Sequence, residues 1–163
     1  MTTKKRTVKR FTIVSNAQTF EELVHTAMLV AYEINHKYQF DLTSILLVPN
    51  KQLVRTQVYY TQVDYAADNK GTFGLPGVDP TIFKSGKWLV RSTEKTLTDK
   101  ELSIASLWFE NQSKFPSTNL LSSLCFDKDL LVEYIAKELE IETTEVKLPQ
   151  IEYKIYDTKD IKK

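Results

Sequence analysis

The chain has 163 residues, a hydrophobic fraction of 42% and a formal net charge of +1. This length and hydrophobic content are those of one folded domain with a packed core, and they exclude an intrinsically disordered chain. The single cysteine, Cys125, excludes an intramolecular disulfide and a cysteine-based zinc cluster. It also indicates a reducing compartment, so we expect a cytoplasmic protein.

The small net charge hides an uneven distribution. Residues 1–10 contain five basic and no acidic residues, whereas residues 101–163 contain twelve acidic residues and eight lysines. We interpret residues 1–10 as a flexible basic arm, residues 11–157 as a single domain and residues 158–163 as a charged tail. The basic N-terminal segment lacks the apolar core of a signal peptide. No run in the chain approaches the roughly 20 apolar residues of a membrane span, so we expect no membrane partner.

The domain is predicted to begin with a strand and a helix. The segment KRFTIVSN, residues 9–16, is typical of a short strand that ends in a turn. Thr19 and Glu22 have the spacing of a capping box, and apolar residues then recur with helical spacing, which predicts a helix over residues 19–38. Its middle, AMLVAY, is apolar on more than one side. We expect neighbouring helices of the same chain to cover this surface, with a homo-oligomer as the alternative.

The same helix contains the spacing Glu-x-x-His twice, and these units hold the only two histidines, His25 and His36. A separation of eleven residues places them about 16 Å apart along the helix axis, so they cannot share one metal ion. Di-metal bundles take each such unit from a different helix. We therefore predict no metal site and interpret these residues as a polar helix face.

Two strands and a loop are predicted next. The continuous apolar run LTSILLVP, residues 42–49, indicates a strand covered on both faces, and residues 52–65 are rich in Val, Thr and Tyr, which predicts a longer strand beside it. Residues 66–86 hold all four glycines and predict a surface loop whose Phe73 and Leu75 contact the core or a partner. Its GTFGLPG segment matches no phosphate-binding pattern, so we expect no nucleotide cofactor.

The remaining elements are predicted to be a strand, two helices and a last strand. KWLVRST favours a strand, and Thr98 with Glu101 forms a second capping box that begins a helix. Residues 127–141 predict another helix, and residues after Pro149 alternate as in a half-buried strand. The side chains expected to face the core are Leu102, Ala105 and Phe109 in the first helix, with Ile104 and Trp108 beside them, Leu130, Leu131, Tyr134, Ile135 and Leu139 in the second, and Ile151, Tyr153 and Ile155 in the strand.

These elements together predict an α+β domain with the order β-α-β-β-(loop)-β-α-α-β. We expect a mainly antiparallel sheet with helices packed on one face.

No catalytic signature appears in the chain. Cys125 lies in the apolar segment LLSSLCF, which predicts a buried and unreactive thiol, and the neighbouring serines lack a G-x-S-x-G turn. Paired carboxylates leave no spacing pattern, so an enzyme with such a site is the least supported class. We expect a protein that is not an enzyme and that binds no cofactor.

The sequence favours a macromolecule-binding accessory protein of the adaptor or inhibitor type, which acts through a protein partner. The Lys-, Thr- and Asn-rich character is typical of a bacterial mobile element or phage. The alternative is a nucleic-acid-binding module in which the basic arm neutralises phosphates and a Tyr-bearing strand stacks on bases. The candidate binding residues are Lys4, Lys5, Arg6, Lys9, Arg10, Arg55, Tyr59, Tyr60, Phe73 and Leu75.

Overall fold

The computed structural model describes residues 6–68, 87–119 and 123–156. Short 3-10 turns follow β2, α2 and α3. The predicted α+β class and element order are confirmed. The elements are β1 (Val8–Val14), α1 (Phe20–Tyr38), β2 (Leu42–Val48), β3 (Thr61–Tyr65), β4 (Trp88–Ser92), α2 (Asp99–Asn111), α3 (Lys128–Leu139) and β5 (Lys154–Tyr156).

The five strands form one mixed sheet in the order β1-β2-β3-β4-β5. β1 and β2 are parallel, because α1 crosses over between them, and the other pairs are antiparallel. The register aligns Ile45 with Val63 and Val63 with Val90, and these three side chains are fully buried. They form the centre of the face that α1 covers.

α1 has the predicted boundaries and the predicted capping box. The Thr19 side chain accepts a hydrogen bond from the Glu22 backbone N–H (3.3 Å), and the Glu22 carboxylate accepts one from the Thr19 N–H (3.2 Å). Ala27 and Ala31 are fully buried against the sheet. Leu29, in the middle of AMLVAY, is 58% exposed. We predicted that the whole apolar surface of this helix is covered, and at Leu29 this prediction is wrong within the described residues.

α2 and α3 pack together in a second hydrophobic cluster, and α2 also has its predicted capping box. The buried face of α2 is rotated from the predicted one. Ile104 and Trp108 are buried with Ala105, whereas Leu102 and Phe109 are only half-buried. On α3, Leu130 is exposed although it was predicted to face the core. A helical spacing defines a stripe, but the packing partner determines which part of the stripe is covered.

The predicted long strand over residues 52–65 is limited to β3. Residues 51–53 form a 3-10 turn, capped by the Asn50 side chain, which accepts a hydrogen bond from the Leu53 N–H (3.2 Å). Arg55 has φ 70°, in the left-handed region, which interrupts an extended chain. The sequence pattern of β-favouring residues does not reveal these two turns.

The alternation predicted for the last strand is wrong at Ile155. β5 comprises only residues 154–156, and its register places Ile155 opposite Arg91, on the face of the sheet away from α1. Ile155 is therefore exposed, whereas Tyr156 packs against Phe20 with ring centroids 4.6 Å apart.

The described chain also limits the predicted basic arm. β1 begins at Val8, so Lys9 and Arg10 belong to the sheet and not to an arm that ends at residue 10. Residues 158–163 of the predicted tail lie outside the described residues. Among the helices of the described ranges, none combines the length and the hydropathy that crossing a membrane requires.

The packing of α1 on the sheet generates a stability prediction. Ala27→Asp places a charge at a fully buried position, and burying an unpaired charge costs several kcal/mol, against a total stability of about 5–15 kcal/mol. We expect this variant to be unfolded by circular dichroism. Thr26→Asp, at the neighbouring exposed position, is the control and should change the stability by about 0.5 kcal/mol or less. A folded Ala27→Asp protein with unchanged stability would contradict the packing described here.

Candidate binding face of the sheet

The face of the sheet opposite α1 carries a polar set of side chains. Alternate residues of a strand point to opposite faces, so the register separates this set from the core residues. Among the described elements, no helix packs on the middle of this face. The residues in the middle of this face are Arg10 and Thr12 of β1, Ser44 and Leu46 of β2, Gln62 and Asp64 of β3, Leu89 and Arg91 of β4, and Ile155 of β5.

These side chains form two rows across the strands. The first row runs from Arg10 through Ser44 and Asp64 to Leu89. The second row runs from Thr12 through Leu46, Gln62 and Arg91 to Ile155. Asp64 and Arg91 therefore lie in adjacent rows on neighbouring strands, at the diagonal spacing that long side chains can span.

Asp64 is the buried charged group of this face, with 5% of its surface exposed. The Gln62 side-chain amide donates to both carboxylate oxygens, at 3.3 and 3.4 Å. Burial raises the pKa of Asp64, while its polar neighbours Ser44 and Gln62 and the charges of Arg10 and Arg91 act in the opposite direction without cancelling the effect of burial. A buried carboxylate with a shifted pKa beside two arginines is a candidate functional group.

The side chains of this face can form ion pairs and apolar contacts. Each guanidinium presents several N–H donors in a plane that matches a carboxylate, and Leu46, Leu89 and Ile155 add apolar surface on the same face. Neither histidine lies here, because both belong to α1 on the other side of the sheet, where His36 stacks on Tyr32 with ring centroids 5.9 Å apart. Within the described ranges, no three potential metal-binding side chains lie together.

Four of the predicted basic residues can be placed. Arg6 forms an ion pair with Asp68 (3.2 Å) and donates to the backbone carbonyl of Asp41 (3.3 Å), near the edge of the sheet. Lys9 and Arg10 both lie in β1, but on opposite faces, so only Arg10 joins the candidate face. Arg55 lies apart from them and lines a cavity of about 510 Å³ with Phe109 and Tyr153.

The two tyrosines predicted to stack on nucleic-acid bases, Tyr59 and Tyr60, lie outside the strands, and neither is exposed. Tyr60 is 5% exposed in the main core, and its hydroxyl accepts a hydrogen bond from the Leu97 N–H (3.2 Å). Tyr59 stacks on Tyr153 with ring centroids 4.4 Å apart, and the Tyr153 hydroxyl donates to the Tyr59 carbonyl (2.6 Å). Burial raises the pKa of Tyr153 to about 12. Both predicted stacking residues therefore have intramolecular packing roles.

Other predicted residues have different outcomes. Lys4, Lys5, Phe73 and Leu75 lie outside the described residues, as do residues 69–86 of the predicted loop. Cys125 is exposed, so the prediction of a buried thiol is wrong. Its neighbour Phe126 packs against Trp108, and adjacent side chains of an extended segment point in opposite directions.

Sequence reasoning missed Asp64 and Arg91. The signal was the alternation in TQVDY, where Gln62 and Asp64 separate the buried residues Thr61, Val63 and Tyr65. This pattern indicates one polar face on an otherwise apolar strand. It does not indicate that Arg10 and Arg91 lie on the same face, because that depends on the order and register of four strands.

Comparison with known proteins gives a family and a fold. A family model described as a domain of unknown function (DUF4875) matches residues 1–151. The structure is similar to a crystal structure described as a DUF487 family protein from Desulfovibrio piger, with a TM-score of 0.63 and 25% sequence identity. That similarity covers 86% of this chain and 72% of the other. No curated protein matches the sequence.

The raised pKa of Asp64 generates a pH-dependent prediction. A carboxyl group with a raised pKa in the folded state stabilises the fold most at acid pH, and the contribution is lost as pH rises through the folded-state pKa. Asp64→Asn removes the charge while preserving the shape. We expect it to be about 1 kcal/mol more stable than the natural protein near pH 7 in urea unfolding.

The same comparison at acid pH is the control. Below the ordinary range of aspartate, at about pH 3, both proteins are uncharged at this position, so the difference should become small. A variant that is less stable near pH 7, with a deficit that shrinks toward acid pH, would show that the ionised Asp64 stabilises the fold.

Proposed function

Because the chain belongs to the family described as a domain of unknown function (DUF4875), we propose a function from the site alone: this is a non-enzymatic domain that binds an acidic protein surface. The proposed contact surface is the face of the sheet opposite α1, with Arg10 and Arg91 as its charged contacts. The partner presents carboxylates to these two residues and apolar side chains to Leu46, Leu89 and Ile155 on the same face. An origin in a mobile element or phage stays a prediction from composition.

The observation that carries this proposal is the position of Arg10 and Arg91 on either side of a buried carboxylate. Arg10 lies two strands from Asp64 in the first row, and Arg91 lies on the adjacent strand in the second row. The positive charges of Arg10 and Arg91 both act to lower the pKa of Asp64, against the larger effect of burial. The ionised Asp64 attracts both guanidinium groups, Arg10 from the edge strand β1 and Arg91 from β4, on the face where a partner's carboxylate can meet them.

The composition of the face favours a protein partner. Arginine is enriched at protein interfaces, and apolar residues between charged groups supply the desolvated area on which binding energy depends. Leu46 and Leu89 are half-buried in the unbound protein, and Ile155 is exposed. A partner that covers these three residues removes apolar surface from water at the same time as it pairs the arginines.

The charge distribution also gives the proposed complex an orientation. The part of the chain that holds α2 and α3, residues 99–147, contains ten acidic residues and five lysines. An acidic partner is repelled by this region and attracted by the arginine-bearing face, so long-range charge favours the proposed approach.

The nucleic-acid alternative has one supporting observation, the five basic residues in residues 4–10. Against it, Tyr60 is buried and the half-buried Tyr59 already stacks on Tyr153. If all five basic residues contacted duplex DNA, the logarithm of affinity would fall with the logarithm of salt concentration with a slope of about −4. We expect no nucleic-acid binding of this strength near 150 mM salt.

The proposed interface predicts the effect of a charge reversal. The partner is first captured on the tagged protein after nuclease treatment, identified, purified, and titrated by isothermal calorimetry. Arg10→Glu combined with Arg91→Glu should weaken binding by at least about 100-fold, because two attractive pairs become repulsive ones. Lys128→Glu combined with Lys137→Glu makes the same change of net charge on the exposed surface of α3 and should leave the affinity within about threefold.

Two results would contradict the proposal. If nuclease treatment abolishes capture, the partner is a nucleic acid. If the partner is a protein and both double variants weaken binding equally, the attraction depends on net charge and not on this face of the sheet.

A further inference from the structure

Within the part of the chain that the structure describes, every second residue of β1 directs its backbone groups to an outer edge that no strand pairs with. The Thr7 carbonyl accepts from the Leu42 N–H (3.2 Å) and the Ser15 N–H donates to the Val48 carbonyl (3.0 Å), so the odd-numbered residues of β1 bond to β2. In a parallel pair the intervening residues point their backbone groups away from the partner strand. No residue of the described ranges forms a ladder with this outer edge. The outward residues are Val8, Arg10, Thr12 and Val14.

The side chains of β1 are also incompletely covered on both faces. Val8 is 37% exposed and Val14 is 45% exposed, and both lie on the face opposite α1. On the other face, Phe11 and Ile13 are only half-buried. α1 packs chiefly over β2 and β3, which leaves space beside these two residues at the edge of the sheet.

We propose that a second copy of this chain pairs with the outer edge of β1 in an antiparallel arrangement, with the two-fold axis at Phe11. In this register Val8 lies opposite the partner's Val14, and Arg10 lies opposite the partner's Thr12. Every outward residue of β1 then faces an outward residue of the partner, so each pair exchanges two backbone hydrogen bonds. The result is a continuous ten-stranded sheet, twice the five strands of one chain.

In this register the side chains of the two copies of β1 complement each other. Val8 and Val14 are three residues on either side of Phe11, so the two exposed valines cover each other in both halves of the interface. Phe11 meets the partner's Phe11 in a pair without hydrogen bonds, where side chains are closest. The half-buried apolar residues therefore gain cover on both faces of the joined sheet.

The charges of β1 select this register. Arg10 faces a threonine and Lys9 faces the partner's Ile13, so no two cations lie directly opposite. A register centred on Arg10 would place the two arginines against each other, and like charges directly opposite destabilise a strand pair. The cations of both copies are nevertheless near one another, so added salt should strengthen the dimer by screening them.

This inference goes beyond the proposed function and does not depend on it. A two-fold axis perpendicular to the sheet keeps both copies of α1 on the same side. The two arginine-bearing faces therefore join into one surface, whatever partner that surface binds.

Removal of one outward N–H tests the proposal. Thr12→Pro deletes a donor needed by the partner strand and leaves the hydrogen bonds between β1 and β2 in place, since proline is tolerated on an edge strand. In sedimentation-velocity experiments over a range of concentrations, we expect the natural protein to dimerise and Thr12→Pro to dissociate at least about tenfold more readily. Thr12→Val keeps the N–H and is the matched control, which should dimerise as the natural protein does.

Disulfide crosslinking in a Cys125→Ser background tests the register. A mixture of Val8→Cys and Val14→Cys proteins should form a crosslinked dimer, because directly opposite Cα atoms about 5.5 Å apart suit a disulfide. Neither variant alone should crosslink, since identical positions lie far from each other in this register. A natural protein that stays monomeric at all concentrations, or a dimer that crosslinks at Val8→Cys alone, would overturn the proposal.

Discussion

The close packing of α1 on the sheet determines the rest of the structure. Ala27 and Ala31 are fully buried at this contact, and their small side chains let the helix approach Ile45 and Val63 closely. The helix also connects two parallel strands, and such a crossover is nearly always right-handed. Because α1 covers one face of the sheet and lies over its middle strands, the middle of the opposite face and the β1 edge have no helix of the described chain packed on them.

The candidate surfaces follow from that asymmetry. Residues that alternate with the buried ones along β1, β3 and β4 place two arginines around Asp64, which is desolvated although it lies outside the α1 core. Burial raises the pKa of Asp64, because the charged carboxylate is less well solvated there than in water. A desolvated carboxyl group lowers the stability of the free protein, and groups of this kind are concentrated at functional sites, which is the physical basis for proposing a binding function.

Local signals predicted the elements, and tertiary pairing decided the surfaces. The capping boxes at Thr19 and Thr98 and the continuous apolar run of β2 identified their elements because caps and burial leave a pattern in adjacent residues. The left-handed Arg55 and the exposed Ile155 left no such pattern. Asp64 and Arg91 are 27 positions apart in the chain and meet only through the pairing of β3 with β4, so no spacing rule could associate them.

The central claim is that Arg10 and Arg91 contact the protein partner. An NMR titration that follows the side-chain Nε–Hε signals of the four arginines tests it directly, since Arg55 belongs to none of the strands that form the proposed face and serves as the comparison. The account predicts that the signals of Arg10 and Arg91 shift as the purified partner is added, while that of Arg55 stays in place. A bound complex in which Arg55 responds and the signals of Arg10 and Arg91 do not would contradict it.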